Sequence, residues 1–220
     1  THAFAGTAPV LNDYLLLGIT GVDAGNLASI QSALASTAVQ ASSFTTASGV
    51  QALVNAFNSI LAEANGSATD ATPGSNPTTA TYAAIGASTA AGLSTSGLAL
   101  LNDAIGNVAA ADVNTVAKID NLARIANAIE LIASGGTPNP ALTATDFTSV
   151  GLTDVSTDNL PAVLAAIAAK ADDGTQTDSL SELQVIVTAA AAAAVVALGD
   201  LSTFANANAS GLVAATGAVP

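Results

Sequence analysis

The amino-acid sequence predicts an all-α fold made of tandem small three-helix bundle modules, and three observations lead to this prediction. Half of the 220 residues are hydrophobic but only 3% are aromatic, and alanine, the best helix former, dominates the apolar residues. Apolar residues recur at spacings of three and four, which places them on one face of a helix. The sequence also repeats itself, as tandem modules require.

Internal similarity divides the chain into three related segments. Residues 18–27 (GITGVDAGNL) align without a gap with residues 151–160 (GLTDVSTDNL). A looser copy lies between them, since residues 82–86 match residues 14–18, and residues 92–105 match residues 21–34 after a short insertion. The period is roughly 65 residues, which is the size of a three-helix unit.

The first two helices of each segment are marked by glycines and by capping residues. A short helix ends at a glycine suited to a left-handed C-cap, at Gly18, Gly86 and Gly151. Asp23, Ser94 and Ser156 follow and are placed to cap a second helix. Leu27, Leu98 and Leu160 begin the apolar stripe of that helix, so we predict that they occupy equivalent buried positions.

The third helix of each segment is the longest. A polar stretch precedes it, and apolar residues at helical spacing then form its buried stripe. In the first segment the stripe consists of Val50, Leu53, Phe57, Ile60 and Leu61, and in the second it consists of Ile119, Leu122, Ile125, Ile129 and Ile132.

Proline and glycine mark the boundaries between the segments, because both residues stop helices. They cluster in residues 65–79, with Pro73 and Pro77, and in residues 134–140, with Pro138 and Pro140. We therefore predict three-helix modules at residues 1–66, 79–134 and 141–200. Residues 201–220 would form a tail or the start of a further unit.

Charge and composition narrow the possible partners. Lys118, Arg124 and Lys170 are the only Lys or Arg residues beside 16 acidic residues, and the net charge is −13. Such a chain lacks the basic surface that follows a phosphate backbone, so we exclude nucleic acid as a partner. The absence of Cys and Met fits an oxidising extracellular setting without disulfides, although a cytosolic protein can also lack cysteine.

The longest uncharged apolar run, residues 183–199, is predicted to be a buried helix and not a membrane span. Gln184, Thr188 and many alanines occupy positions where a spanning helix carries strongly apolar residues. We therefore expect that the protein does not span a membrane.

Catalytic and metal-binding chemistry has few candidates. His2, the single histidine, lies beside the first residue, and there is no cysteine, so the usual zinc ligand sets and a Ser-His-Asp triad are not expected. Asp172, Asp173 and Asp178 surround a turn and could offer oxygen ligands to calcium, although acidic residues near a helix start are also favoured by the helix dipole. We expect no other cofactor and no enzymatic activity.

The segments resemble the three-helix GA-like modules of bacterial surface proteins. They are more similar to the Ala-rich and Asp-rich helical repeats of very large adhesins and biofilm proteins of Gram-negative bacteria. Residues 17–34 and 150–167 carry the likeness most clearly, and residues 85–105 carry it in part. The resemblance implies an extracellular or cell-surface location and a spacer or adhesive role. It does not imply the albumin binding of some GA modules, since the chain shows no clear apolar binding patch.

Three functions remain open at this point. The first is a non-catalytic structural or adhesive repeat segment, whose partners would be neighbouring modules, copies of itself or another surface protein. The second is a subunit of a self-assembled extracellular filament or surface layer. The third is a small-ligand or hydrolytic domain, which a concave pocket with convergent carboxylates would support.

Overall fold

The computed structural model describes residues 7–39, 44–66, 76–170 and 176–216, with side chains up to residue 208. The described chain is mostly helical and contains no strand, which confirms the all-α class; Asn65 and Ala109 form an isolated bridge. Ten α-helices follow one another: α1 (Leu11–Leu16), α2 (Leu27–Leu34), α3 (Ala47–Glu63), α4 (Thr79–Ala84), α5 (Ser88–Ala91), α6 (Thr95–Asn107), α7 (Val116–Ala133), α8 (Ala144–Ser149), α9 (Leu160–Ala168) and α10 (Leu180–Thr216). A one-turn 3-10 helix, Ala110–Asp112, precedes α7.

The short helices α1, α4 and α8 end in the same way. Each buries one aromatic ring, from Tyr14, Tyr82 and Phe147 respectively. The backbone N–H five residues later donates a 3.0 Å hydrogen bond to the carbonyl oxygen of that aromatic residue. The intervening glycines (Gly18, Gly86 and Gly151) have φ between 69° and 94°, so the predicted left-handed C-caps are confirmed.

The second helices begin differently from the prediction. Ser94 caps α6, since its hydroxyl accepts a hydrogen bond from the N–H of Gly97. Asp23 and Ser156 do not cap α2 and α9, whose N-cap residues are Asn26 and Asn159. Instead, Asp23 and Ser156 accept hydrogen bonds from backbone N–H groups in the turn before each helix, because the chain makes one further turn before the helix begins.

The long helices α3, α7 and α10 begin at hydroxyl residues. Thr46 and Thr115 cap α3 and α7 through the N–H groups of Gly49 and Lys118. Before α10, Ser179 accepts from the N–H of Glu182. Such bonds satisfy N–H groups that have no partner inside the helix.

The buried residues form one continuous cluster through all three segments. Helices of different segments contact one another: α3 packs on α4 and α6, α2 on α7, α7 on α8 and α9, and α6 on α10. We call the contact of the first segment with the second the first junction, and that of the second with the third the second junction. Buried alanines of α7, such as Ala123, Ala126 and Ala128, let neighbouring helices approach closely because their side chains are small.

The last helix departs from the prediction in length and burial. Helix α10 has 37 residues and continues past residue 200, through the predicted tail. Its buried residues include Leu183, Ile186, Val187 and Ala190, whereas Leu198 and Phe204 are 68% and 70% exposed. The expectation of a buried helix over residues 183–199 is therefore wrong for its second half. The physical reason is length: 37 helical residues span about 55 Å, and the packing partners α6 and α9 are much shorter.

Candidate functional site

The predicted calcium ligands are described only in part. Asp172, Asp173 and His2 lie outside the described residues. Asp178 is half-buried just before α10. It lies close enough to Glu130 for its charge to raise the pKa of that carboxyl. Among the residues whose positions are described, no three His, Cys, Asp or Glu side chains form a group that could hold a metal ion.

Three shallow clefts lie where two segments contact each other. One lies between the first and second segments and includes Asp23, Asn58 and Asn114 in its lining. A second, at the same junction, is lined by Ser32, Ser36, Gly86 and Asp120 among others. The third brings Asp112 and Lys118 beside Thr148 and Ser149 of α8. Each of these clefts has one carboxylate in its lining, and paired carboxylates would be the usual starting point for acid–base hydrolysis.

A hydrogen bond from the backbone between the first two helices to the long helix recurs in all three segments. The N–H of Thr20 donates to Oε1 of Gln51 at 2.9 Å, and the N–H of Thr153 donates to Oε1 of Gln184 at 3.0 Å. In the second segment, the N–H of Thr89 donates to Oδ1 of Asp120. The two partners are 31 residues apart in every case, so the same anchor holds two turns and, in the second segment, helix α5 against the long helix.

The asparagines before the second helices also share a geometry. Asn26 accepts from the N–H of Asp23 at 2.8 Å and donates from Nδ2 to the carbonyl oxygen of Gly21 at 2.7 Å. Asn159 makes the equivalent bonds, with the same two lengths, to Ser156 and Asp154. Asp154 adopts φ of 67° where Gly21 has 78°. The local likeness of the first and third segments therefore extends to individual side-chain hydrogen bonds.

The two junctions use residues at matching positions. At the first junction, the N–H of Val116, the first residue of α7, donates to Oγ of Ser32 at 3.1 Å. At the second junction, the N–H of Leu180, the first residue of α10, donates to Oδ2 of Asp103 at 3.1 Å. Ser32 and Asp103 occupy matching positions in the second helix of their segments. Each of these two segments therefore contacts the following segment through the same position.

Glycine permits the close approach at both junctions. Ser36 Oγ donates to the carbonyl oxygen of Gly86 at 3.0 Å. A Cβ added to Gly86 would collide with the side chains of Ser36 and Val39, and one added to Gly151 would collide with Asn107. Ser36 and Asn107 are matching residues of the segment alignment.

Two ionisable side chains of α7, Arg124 and Glu130, contact the third segment at the second junction. Arg124 of α7 forms an ion pair with Asp146 of α8. Burial alone would raise the pKa of Asp146, but hydrogen bonds from Thr143 and the Arg124 guanidinium lower it below its usual value. Thr177 Oγ1 donates to Glu130 at 2.9 Å. The pKa of Glu130 is nevertheless raised, chiefly because the carboxyl is removed from water and further because Asp178 is near.

Sequence reasoning missed the anchor and junction residues. Gln51, Gln184, Ser32 and Asp103 stand among the helical stripes as ordinary polar residues. A signal existed in the alignment of the segments, because Gln51 and Gln184 occupy the same position in their long helices. Their partners are backbone N–H groups, and these leave no mark in the sequence.

Within the described residues, one helical stretch, Leu180–Asn208, has the length and apolar composition of a helix that could cross a membrane. Only 17% of the most apolar 18 consecutive residues of this stretch is buried in the protein. Length and composition alone are weak grounds for a span, so the absence of a membrane-spanning segment stays a prediction.

Searches against protein-family models, curated proteins and solved structures found no match to this chain.

Proposed function

We propose that the chain is a non-catalytic structural or adhesive segment of a secreted bacterial cell-surface or biofilm protein, built from tandem three-helix modules. Each module would comprise a short helix, a capped second helix and a long third helix. The second module carries one additional turn of helix, α5, at the position of the sequence insertion. The modules would stack in one direction, as repeat units do in a solenoid.

One observation carries the proposal: the backbone N–H at the start of a long helix bonds to the matching side chain of the preceding segment at both junctions, at Ser32 and at Asp103. A repeated contact of this kind is expected where every unit meets its neighbour in the same orientation. Repeated stacking supplies length and surface, which are the properties that a spacer or an adhesive stalk needs. The absence of cysteine is compatible with an extracellular setting without disulfides.

Labelling of intact cells tests the proposed location. Antibodies raised against the purified chain should label cells that produce it before permeabilisation, and external protease should remove the signal. A cytosolic protein of the same cells is the control, since it should be labelled only after permeabilisation. If the chain behaves like this control, the surface role is wrong.

The length of engineered arrays tests the proposed architecture. Each additional copy of the middle unit should raise the maximum dimension measured by small-angle X-ray scattering by a constant increment. A maximum dimension that does not grow with the number of copies would contradict the stacking of modules.

A further inference from the structure

The outer face of the first segment is exposed where its counterparts in the other segments are buried. Leu17 is 57% exposed, whereas the matching residues Ile85 and Val150 are fully buried. At the start of the long helix, Ala47 is exposed, whereas Val116 and Leu180 are buried. The residues that the inner segments use to meet a preceding unit are therefore uncovered in the first segment. A Cβ placed on Gly18 would meet no atom within 4 Å.

We call this surface the head face and define it by Leu15, Leu16, Leu17, Gly18 and Ala47. Leu15 and Leu16 are 73% and 76% exposed. Three adjacent exposed leucines form an apolar patch, and such patches on soluble proteins usually mark a contact site.

The opposite surface of the third segment is exposed in the same systematic way. Helix α10 aligns with α7 through their N-terminal caps, Ser179 and Thr115. Helix α7 packs on α8 and α9 of the third segment, and its Ile125 and Ile129 are fully buried. Their counterparts Ala189 and Ala193 are exposed.

Ala165 of α9 and Ala169 at its C-cap are likewise exposed, although the matching Asp103 and Asn107 of α6 contact the third segment. We call Ala165, Ala169, Val185, Ala189 and Ala193 the tail face.

The chemistry of the two faces matches. At the second junction, polar Thr148 and Ser149 of α8 share a cleft with Asn121 of α7. Their counterparts on the end faces are all apolar, with Leu15 and Leu16 on the head face and Val185, 71% exposed, on the tail face.

The groups that make the inner polar contacts have also changed together. Asp103 and Asn107 are replaced on the tail face by Ala165 and Ala169. Ala165 cannot accept the hydrogen bond that Ser32 and Asp103 accept from the first residue of a long helix. A contact between the two free faces would therefore be held by burial of apolar side chains and would lack that bond.

We propose that the head face of one copy of this chain docks on the tail face of a second copy, continuing the internal stacking from molecule to molecule. This proposal rests on the repeat architecture proposed above and extends it to assembly. The contact is heterologous, since two different surfaces meet, and it leaves a free face at each end. Such a contact adds copies in one direction and produces linear oligomers.

Two charged variants of the full chain test this docking by sedimentation velocity. Leu16→Glu alters the head face and Val185→Glu alters the tail face. Both side chains are more than two-thirds exposed, so neither change should disturb folding, and circular dichroism checks this. Leu201→Glu is the matched control, because Leu201 is 67% exposed on the same helix as Val185 but beyond the tail face.

The wild type and Leu201→Glu should form oligomers whose size grows with concentration, and each face variant alone should sediment as a monomer. An equimolar mixture of the two face variants should restore a dimer and nothing larger, because only one intact head and one intact tail remain to meet. That result distinguishes head-to-tail docking from any symmetric contact.

Several results would overturn the docking. These are a wild type that stays monomeric at every concentration, oligomers that survive either face variant, oligomers lost in Leu201→Glu, or a mixture of face variants that stays monomeric. If the wild type is monomeric but antibodies against it still label intact cells, the docking is wrong and the proposed surface role stands.

Discussion

The backbone N–H of Thr153 donates a 3.0 Å hydrogen bond to Oε1 of Gln184, and Nε2 of the same glutamine returns a 3.4 Å bond to the Thr153 carbonyl oxygen. Thr20 and Gln51 make the same pair of bonds at 2.9 Å and 3.0 Å. The glutamine thus holds both backbone groups of one turn residue against the long helix. A turn fixed in this way sets the direction in which the second helix leaves it.

Loss of this anchor should destabilise the first and third segments by similar amounts. Gln51→Ala and Gln184→Ala should each lower the free energy of unfolding by about 1 to 2 kcal/mol, since each removes two hydrogen bonds to backbone groups. Urea denaturation gives the values. Gln51→Glu should recover part of the loss, because Asp120 shows that a carboxylate accepts the equivalent bond. An unchanged stability in both alanine variants would mean that the anchor is incidental.

Two tyrosines at matching positions should respond differently to loss of the hydroxyl. The hydroxyl of Tyr82 donates to Oδ1 of Asn102 at 2.6 Å, and both side chains are buried. Tyr82→Phe should therefore cost about 1 to 3 kcal/mol, because the asparagine oxygen loses its donor. Tyr14 has a buried hydroxyl without a hydrogen-bond partner, so Tyr14→Phe should leave stability unchanged or raise it. Thermal unfolding of the two variants provides the comparison, and equal losses would refute it.

Two glycines with similar φ should separate backbone strain from contact across the first junction. Gly18 and Gly86 have φ of 69° and 79°, so alanine at either position is strained by about 1 to 2 kcal/mol. At Gly86 the new methyl group also collides with Ser36 and Val39, which should cost about 1 to 3 kcal/mol more. If chemical denaturation shows that Gly86→Ala and Gly18→Ala lower the free energy of unfolding equally, Gly86 does not approach Ser36 and Val39 as closely as described.

The carboxyls at the second junction should give opposite dependences on pH. The raised pKa of Glu130 means that its contribution to stability is full below the ordinary value of 4.5 and is lost as the pH rises through the folded-state pKa. Glu130→Gln should therefore be more stable than the wild type at neutral pH and equal to it in acid.

Asp146 has a lowered pKa, so its contribution is present at neutral pH and is lost as the pH falls through the folded-state pKa. Asp146→Asn should accordingly be less stable than the wild type at neutral pH. Urea titrations at several pH values, each compared with the wild type, measure both effects. The same sign for the two variants at neutral pH would contradict the assignment.

The sequence was sufficient for features that depend on local patterns. The helical class follows from alanine content and apolar spacing, and the three glycine C-caps follow from Gly18, Gly86 and Gly151. Leu27, Leu98 and Leu160 do match in position, but all three are partly buried and not fully so, because each lies near the start of its helix, beside the preceding turn.

Features that depend on contacts between segments could not be predicted in this way. Ser32 and Asp103 bond to backbone N–H groups of the next segment, and a backbone group has no sequence signature. The sequence predicted that Ile125 and Ile129 belong to a stripe buried inside their own segment. The helix that carries them, α7, also packs on helices of the third segment. The extent of α10 was missed because alanine continues a helix whether or not a partner covers it.

Deletion of the middle unit tests most directly the central claim that the two junctions are equivalent. Removal of residues 64–132 joins Glu63, the last residue of α3, to Ala133, the last residue of α7. Ser32 and Ser36 would then meet Leu180 and Gly151 directly. We expect the shortened chain to remain helical by circular dichroism and to unfold in one cooperative thermal transition. The reason is that the first segment should pack against the third in the same way as it packs against the second. A shortened chain that loses its helical signal, or melts without cooperativity, would show that the junctions are not interchangeable and would contradict the repeat architecture.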